Sequence, residues 1–99
     1  MISYMENKRI LERIPVSIEV EYDHLEDIKG KIININDKGA LVEQKITLPP
    51  GCCLDMHFKL PHSNNTIKAF GKVVWQEQNI STYGLMGIEF LEISKPIFN

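Results

Sequence analysis

Leu54-Asp55-Met56-His57-Phe58-Lys59-Leu60 alternates between apolar and polar side chains without a break, and that alternation decides the fold class. Successive side chains of a β-strand point to opposite faces. A period of two therefore puts Leu54, Met56, Phe58 and Leu60 on a buried face and Asp55, His57 and Lys59 on a wetted one. The same period runs outward in both directions. Upstream, Val16, Ile18, Val20 and Tyr22 alternate with Ser17, Glu19 and Glu21, followed by a polar turn at 23–27. A second strand is predicted over about 28–35 and a third over about 40–44. Asn36-Asp37-Lys38-Gly39 is the turn between them, its glycine free to take positive φ. Leu48-Pro49-Pro50-Gly51 interrupts pairing ahead of the fourth strand, because proline cannot donate to a ladder. Downstream, after a turn at 61–65, Ile67, Ala69, Gly71, Val73 and Trp75 share one face of a long fifth strand, with Gly71 marking a bend. A polar loop at 76–81 leads to a sixth strand over 82–93, where Gly84 and Gly87 point to a bulge or close packing.

Six short strands with turns at this spacing predict an all-β fold, a six-stranded antiparallel barrel, closed or nearly so. The first fifteen residues do not alternate and read as an N-terminal arm or a short helical turn ahead of the barrel. The expected organisation is an arm over 1–15, a barrel over 16–93 and a tail over 94–99. The chain of 99 residues is 43% hydrophobic and 24% charged, which suits one packed core and leaves no room for a second. No stretch reaches the ~20 apolar residues that span a bilayer, and residues 1–10 lack the apolar core of a secretory signal, so a cytoplasmic protein without membrane insertion is expected. Cys52 and Cys53 are adjacent and read as reduced thiols, one of them pointing inward. The spacing of His24, His57 and His62 around them matches no ligand pattern, so no metal is expected. A net charge of −2 argues against a protein that grips a long polyanion through many phosphates. An anionic ligand should therefore be small and locally bound.

The chain has nine lysines but only two arginines, Arg9 and Arg13, both in the arm. Arginine offers a planar fork of donors that binds phosphate bidentately, stacks on a flat base and matches the O6 and N7 acceptors of guanine. Taken alone, two such residues simply solvate the arm or pair with Glu6 and Glu12. They gain weight from Asn34-Ile35-Asn36-Asp37-Lys38-Gly39 further along. Together with Arg9-Ile10-Leu11-Glu12-Arg13, this stretch resembles the two-part signature of PilZ domains, RxxxR in the arm and [D/N]xSxxG at a strand end and turn. Arg13-Ile14-Pro15-Val16, Gly71-Lys72-Val73-Val74-Trp75 and Gly87-Ile88-Glu89-Phe90 resemble the family's first, central and closing strands.

The resemblance implies a receptor for the bacterial second messenger cyclic di-GMP, with the arm folding over the ligand. Carried over by position, Arg9 and Arg13 would clamp guanine and phosphate; Lys8 beside them is a further candidate contact. Asn34 and Asn36 would hydrogen-bond the ligand, and Gly39 would keep the turn open. Without the arginines, Asn34 and Asn36 read as ordinary turn formers. Asn36 stands where the family usually has serine, which bears on affinity more than on fold. PilZ barrels are often followed by a helix, whereas only 94–99 remain here, with Pro96 unsuited to a helix interior. Either the domain does without that helix or a partner covers the surface.

Trp75 and Phe90 are assigned to the core. Ser17, Ser63 and Ser81 fit no nucleophile arrangement with histidine, and Glu19 with Glu21 reads as a solvated strand face. The expectation is thus a non-enzymatic receptor module that needs no cofactor and changes conformation when cyclic di-GMP binds. It would signal to an unidentified downstream protein as a monomer or dimer, without binding nucleic-acid polymers. The competing readings are a PilZ-like adaptor that no longer binds the ligand, a small barrel for single-stranded nucleic acid, and an enzyme acting on a nucleotide.

Overall fold

The computed structural model describes residues 14–61, 63–79 and 82–97. Over these the chain forms six strands, β1 (Ile14–Tyr22), β2 (Lys29–Asn36), β3 (Gly39–Gln44), β4 (Cys53–Lys59), β5 (Thr66–Glu77) and β6 (Gly84–Ile93). They are antiparallel and close into a barrel in the order β1-β2-β3-β6-β5-β4. The closing seam is short, because β4 pairs with β1 only through Val20–Phe58, Glu21–His57 and Tyr22–Met56. Each strand lies within two residues of the span its alternation predicts. No helix among the described residues is long and apolar enough to cross a membrane.

The inward side chains make one core, with Val20, Ile32, Val42, Val73 and Met86 fully buried and Leu54, Met56 and Phe58 beside them. Burying each of the larger ones contributes roughly 1.5–3 kcal/mol. Phe90 packs against this core as expected, its ring stacked on Phe58 at 6.3 Å between centroids. A polar pair sits within the barrel: the Tyr22 hydroxyl donates to Gln44 Oε1 at 2.6 Å, and Gln44 Nε2 donates to the Ile46 carbonyl at 2.7 Å. These bonds satisfy groups whose burial would otherwise be costly. Burial pushes the Tyr22 phenol well above its ordinary range. Cys52 is partly buried against the core and Cys53 is exposed, both as free thiols.

Two breaks in alternation matter more than the regular pairs. On β2, Ile32 pairs with Val42 but Asn34 pairs with Leu41, so Ile33 is an extra residue. Strict alternation would put Ile32, Asn34 and Asn36 on one face. The bulge at Ile33 lets Ile32 and Ile35 both point inward, at 0% and 2% exposure, and turns Asn34 outward opposite Leu41. On β5, Val73 pairs with Ile88 and Trp75 with Gly87, so Val74 is extra. That corrects the expectation that Trp75 shares the inward face of Ile67 and Val73. Its indole instead lies on the outer face across Gly87, where an added Cβ would come within 2.7 Å of the ring carbon Cδ1. A third irregularity falls beside Gly71, where a bend was predicted. There Phe70 pairs with Glu92 and Gly71 with Phe90, so the extra residue is Leu91 of β6.

Candidate ligand site

The two bulges act together. Pairing runs Pro15–Asn34–Leu41–Gly87–Trp75 across β1, β2, β3, β6 and β5, one continuous row on the outside of the barrel. Cross-strand neighbours of this kind stand roughly 5 Å apart at their Cβ atoms. Asn34 is therefore flanked by a proline and a leucine, with the tryptophan ring beyond, covering the glycine. This row offers an amide and an aromatic face on one surface.

The turn after β2 is tied from several sides. Asn36, only 5% exposed, accepts through Oδ1 from the backbone N–H of Lys38 at 2.7 Å and of Gly39 at 3.0 Å, bonds that hold an Asx-type turn. Asp37 Oδ1 accepts from the Ile97 N–H at 2.6 Å, and the Lys38 carbonyl accepts from the Phe90 N–H at 2.8 Å. The segment after β6 thus returns to the turn, and no helix follows β6 among the described residues. Gly39 does not use the positive φ expected of it; among the described residues, positive φ occurs at Gly51 and His24. The requirement at Gly39 is close approach: a Cβ there would run into the backbone carbonyl oxygen of Ile88.

Charge around the turn is balanced. A second outward row runs Asn36–Gly39–Glu89–Lys72, so Lys38 and Lys72 stand against Asp37 and Glu89. A phosphate dianion seated here would need further cations. Lys8, Arg9 and Arg13, which the sequence singles out for that purpose, lie outside the described residues. β1 begins with Ile14 opposite Ile35 and Pro15 opposite Asn34, so the described chain starts beside both asparagines.

Cavities elsewhere suit an anion less well. One of 370 Å³ is walled by Glu21, Asp23 and Glu26 with Lys29 and His57, and one of 480 Å³ by Glu19 and Glu21 with Lys59. Carboxylates outnumber lysines in both walls, so the balance repels phosphate. His57 faces carboxylates rather than a nucleophile, with Glu21 and Asp23 each 3.2 Å from one of its ring nitrogens.

The structure thus brings Asn34, Asn36 and Gly39 together. It adds Trp75 and Leu41, which reading by strict alternation missed. The signal for both bulges was present in the doubled β-branched residues Ile32-Ile33 and Val73-Val74, each ahead of the residue that turns outward. The family model for the PilZ domain matches residues 5–97 of the chain. Comparison with curated proteins brings no match.

Proposed function

Since the chain belongs to the PilZ domain family, a family of cyclic di-GMP receptor domains rather than of catalysts, we propose that it binds cyclic di-GMP on the outer row beside the Asn34–Gly39 turn and signals to a protein partner. The observation that carries this reading is the bulge at Ile33. It turns Asn34 outward beside the start of β1, and Arg13 is covalently next to Ile14, whose ladder partner Ile35 lies between the two asparagines. In this reading the arm ahead of β1 closes on the ligand, with Arg9 and Arg13 clamping guanine and phosphate and Lys8 adding charge. Asn34 hydrogen-bonds the ligand and Trp75 offers a stacking face. Closure of the arm over the barrel is the conformational change that a downstream protein senses. The balanced charge of the turn supports assigning the needed cations to the arm. The protein acts in the cytoplasm, with no cofactor and no nucleic-acid polymer.

Asn36 favours a second reading. Its oxygen is already engaged with Lys38 and Gly39, which suits an adaptor whose turn serves structure alone. Calorimetric titration with cyclic di-GMP, beside GMP and a single-stranded oligonucleotide, separates the two. Saturable binding of cyclic di-GMP at micromolar or tighter concentration, with the others weaker, supports the receptor. Absence of heat with cyclic di-GMP leaves the adaptor, and equal binding of all three sinks the receptor reading.

A further inference from the structure

Away from the candidate site, a third outward row crosses the barrel. Tyr22 pairs with Met56, and the Asp23 N–H donates to the Asp55 carbonyl at 2.9 Å, so Asp23 lies beside Asp55. Asp55 then pairs with Phe70, and Phe70 with Glu92. An aromatic ring is thereby flanked on the sheet surface by a carboxylate on each side, with a third carboxylate at the end of the row. The bulge on β6 places Leu91 next to this row with 48% of its surface exposed. A groove of 270 Å³ opens there, and Lys68 is the one basic residue in its wall. Among the described residues, Asp55 and Glu92 form no ion pair, unlike Glu21 and Asp23, which face His57.

We infer that this face, built on Asp55, Phe70, Leu91 and Glu92, docks a partner protein through a basic segment that carries arginine beside an aliphatic side chain. Charge complementarity names the occupant. A guanidinium over the Phe70 ring gains from the ring's negative face while it forms ion pairs with Asp55 and Glu92 on either side, and the exposed Leu91 gives the neighbouring aliphatic group somewhere to bury. An acidic partner would meet like charges, and a purely apolar one would strip water from unpaired carboxylates. The face is also connected to the turn of the candidate site, since Phe90, adjacent to Leu91, donates its N–H to the Lys38 carbonyl. This inference supplies the partner side of the receptor reading and rests on that reading only for any dependence on ligand.

The test uses the whole chain and a labelled peptide with the repeat arginine-serine-leucine-serine, beside the same peptide with glutamate for arginine. Backbone amide shifts should change at Asp55, Phe70, Leu91 and Glu92 with the basic peptide and stay still with the acidic one. Glu92→Lys and Asp55→Lys should each weaken peptide binding by about two- to fivefold, the range expected for exposed charge pairs. Leu91→Ser should also weaken it, whereas Glu77→Lys at the far end of β5 should not. Equal weakening by Glu77→Lys, shifts centred elsewhere, or no binding at millimolar peptide overturns the inference. So does a concentration-dependent dimer abolished by Glu92→Lys, because the occupant would then be a second copy of the chain. Peptide binding that persists in a protein that ignores cyclic di-GMP would uphold this face while removing the receptor reading.

Discussion

Gly39→Ala tests why the turn carries glycine, because the structure assigns the cost to the backbone of β6 rather than to φ. A Cβ at Gly39 meets the Ile88 carbonyl oxygen and stands 3.2 Å from the Ile88 carbonyl carbon, so no side chain can rotate away to relieve the overlap. β3 and β6 must separate where Gly39 pairs with Glu89 and Ala40 with Ile88. Overpacking of this kind costs about 1–3 kcal/mol, and loosening a ladder hydrogen bond adds about 0.5–1.5 kcal/mol. With ~1.5 kcal/mol as the lower end and about 4–8 °C per kcal/mol for a domain of this size, the melting temperature should fall by at least about 6 °C. Gly51 is the control, since it has a φ of 96° and nothing within 4 Å of an added Cβ. Asparagine tolerates positive φ better than alanine does. Gly51→Asn should therefore be milder than Gly51→Ala, while Gly39→Asn should be at least as damaging as Gly39→Ala. Thermal melting followed by circular dichroism measures all four. A Gly39→Ala protein melting within about 3 °C of the parent, under 1 kcal/mol by the same scale, or rescue of Gly39 by asparagine, would refute the close-approach argument.

Four further outcomes can be measured. Arg9→Lys and Arg13→Lys should each weaken cyclic di-GMP by about ten- to hundredfold in calorimetry with little change in melting, because lysine keeps the charge but loses the bidentate fork; unchanged affinity in both would make them ordinary surface charge. Tyr22→Phe strands the buried Gln44 oxygen and should cost about 1–3 kcal/mol in urea unfolding, with a loss under about 0.5 kcal/mol counting against the pair. The Tyr22 phenol is raised from 10.0 by burial, so its contribution is complete below that value and declines as pH rises above it, where only the unfolded chain ionises; ultraviolet titration should show Tyr22 resisting ionisation until the protein unfolds. Asn36→Ser should lower stability by a few tenths of a kcal/mol through a weaker turn without weakening cyclic di-GMP, and a tenfold loss of affinity at unchanged melting would identify Asn36 as a ligand contact.

The strands were legible because most side chains obey one rule. Leu54 to Lys59 and Ile67 to Val73 alternate, and the structure buries the residues that alternation assigns to the inside. The order of the strands was not legible. β3 lies beside β6, and β4 beside β1, a neighbourhood fixed by closure of the whole barrel rather than by any local pattern. The role of Gly39 was equally hidden, because the atom it makes room for belongs to Ile88, far away in sequence.

The side on which the candidate site faces depends on parity, which the polar residues themselves do not reveal. Ile32 and Ile35 are three positions apart and both lie inside the barrel, an arrangement that an unbroken strand forbids, because an odd spacing places two side chains on opposite faces. One residue between them has to be absorbed. Ile33 is that residue, and once it bulges, Asn34 must point outward whatever its own chemistry. The same reasoning applies to Val73, Val74 and Trp75, where a buried valine is followed by an extra one and the indole emerges on the surface. Asn34 and Trp75 thus reach the same outer row through demands made by the core. A substitution that removed the need for the bulge, by making position 35 polar or position 33 the better inward residue, would rotate Asn34 toward the interior without touching any residue of the site.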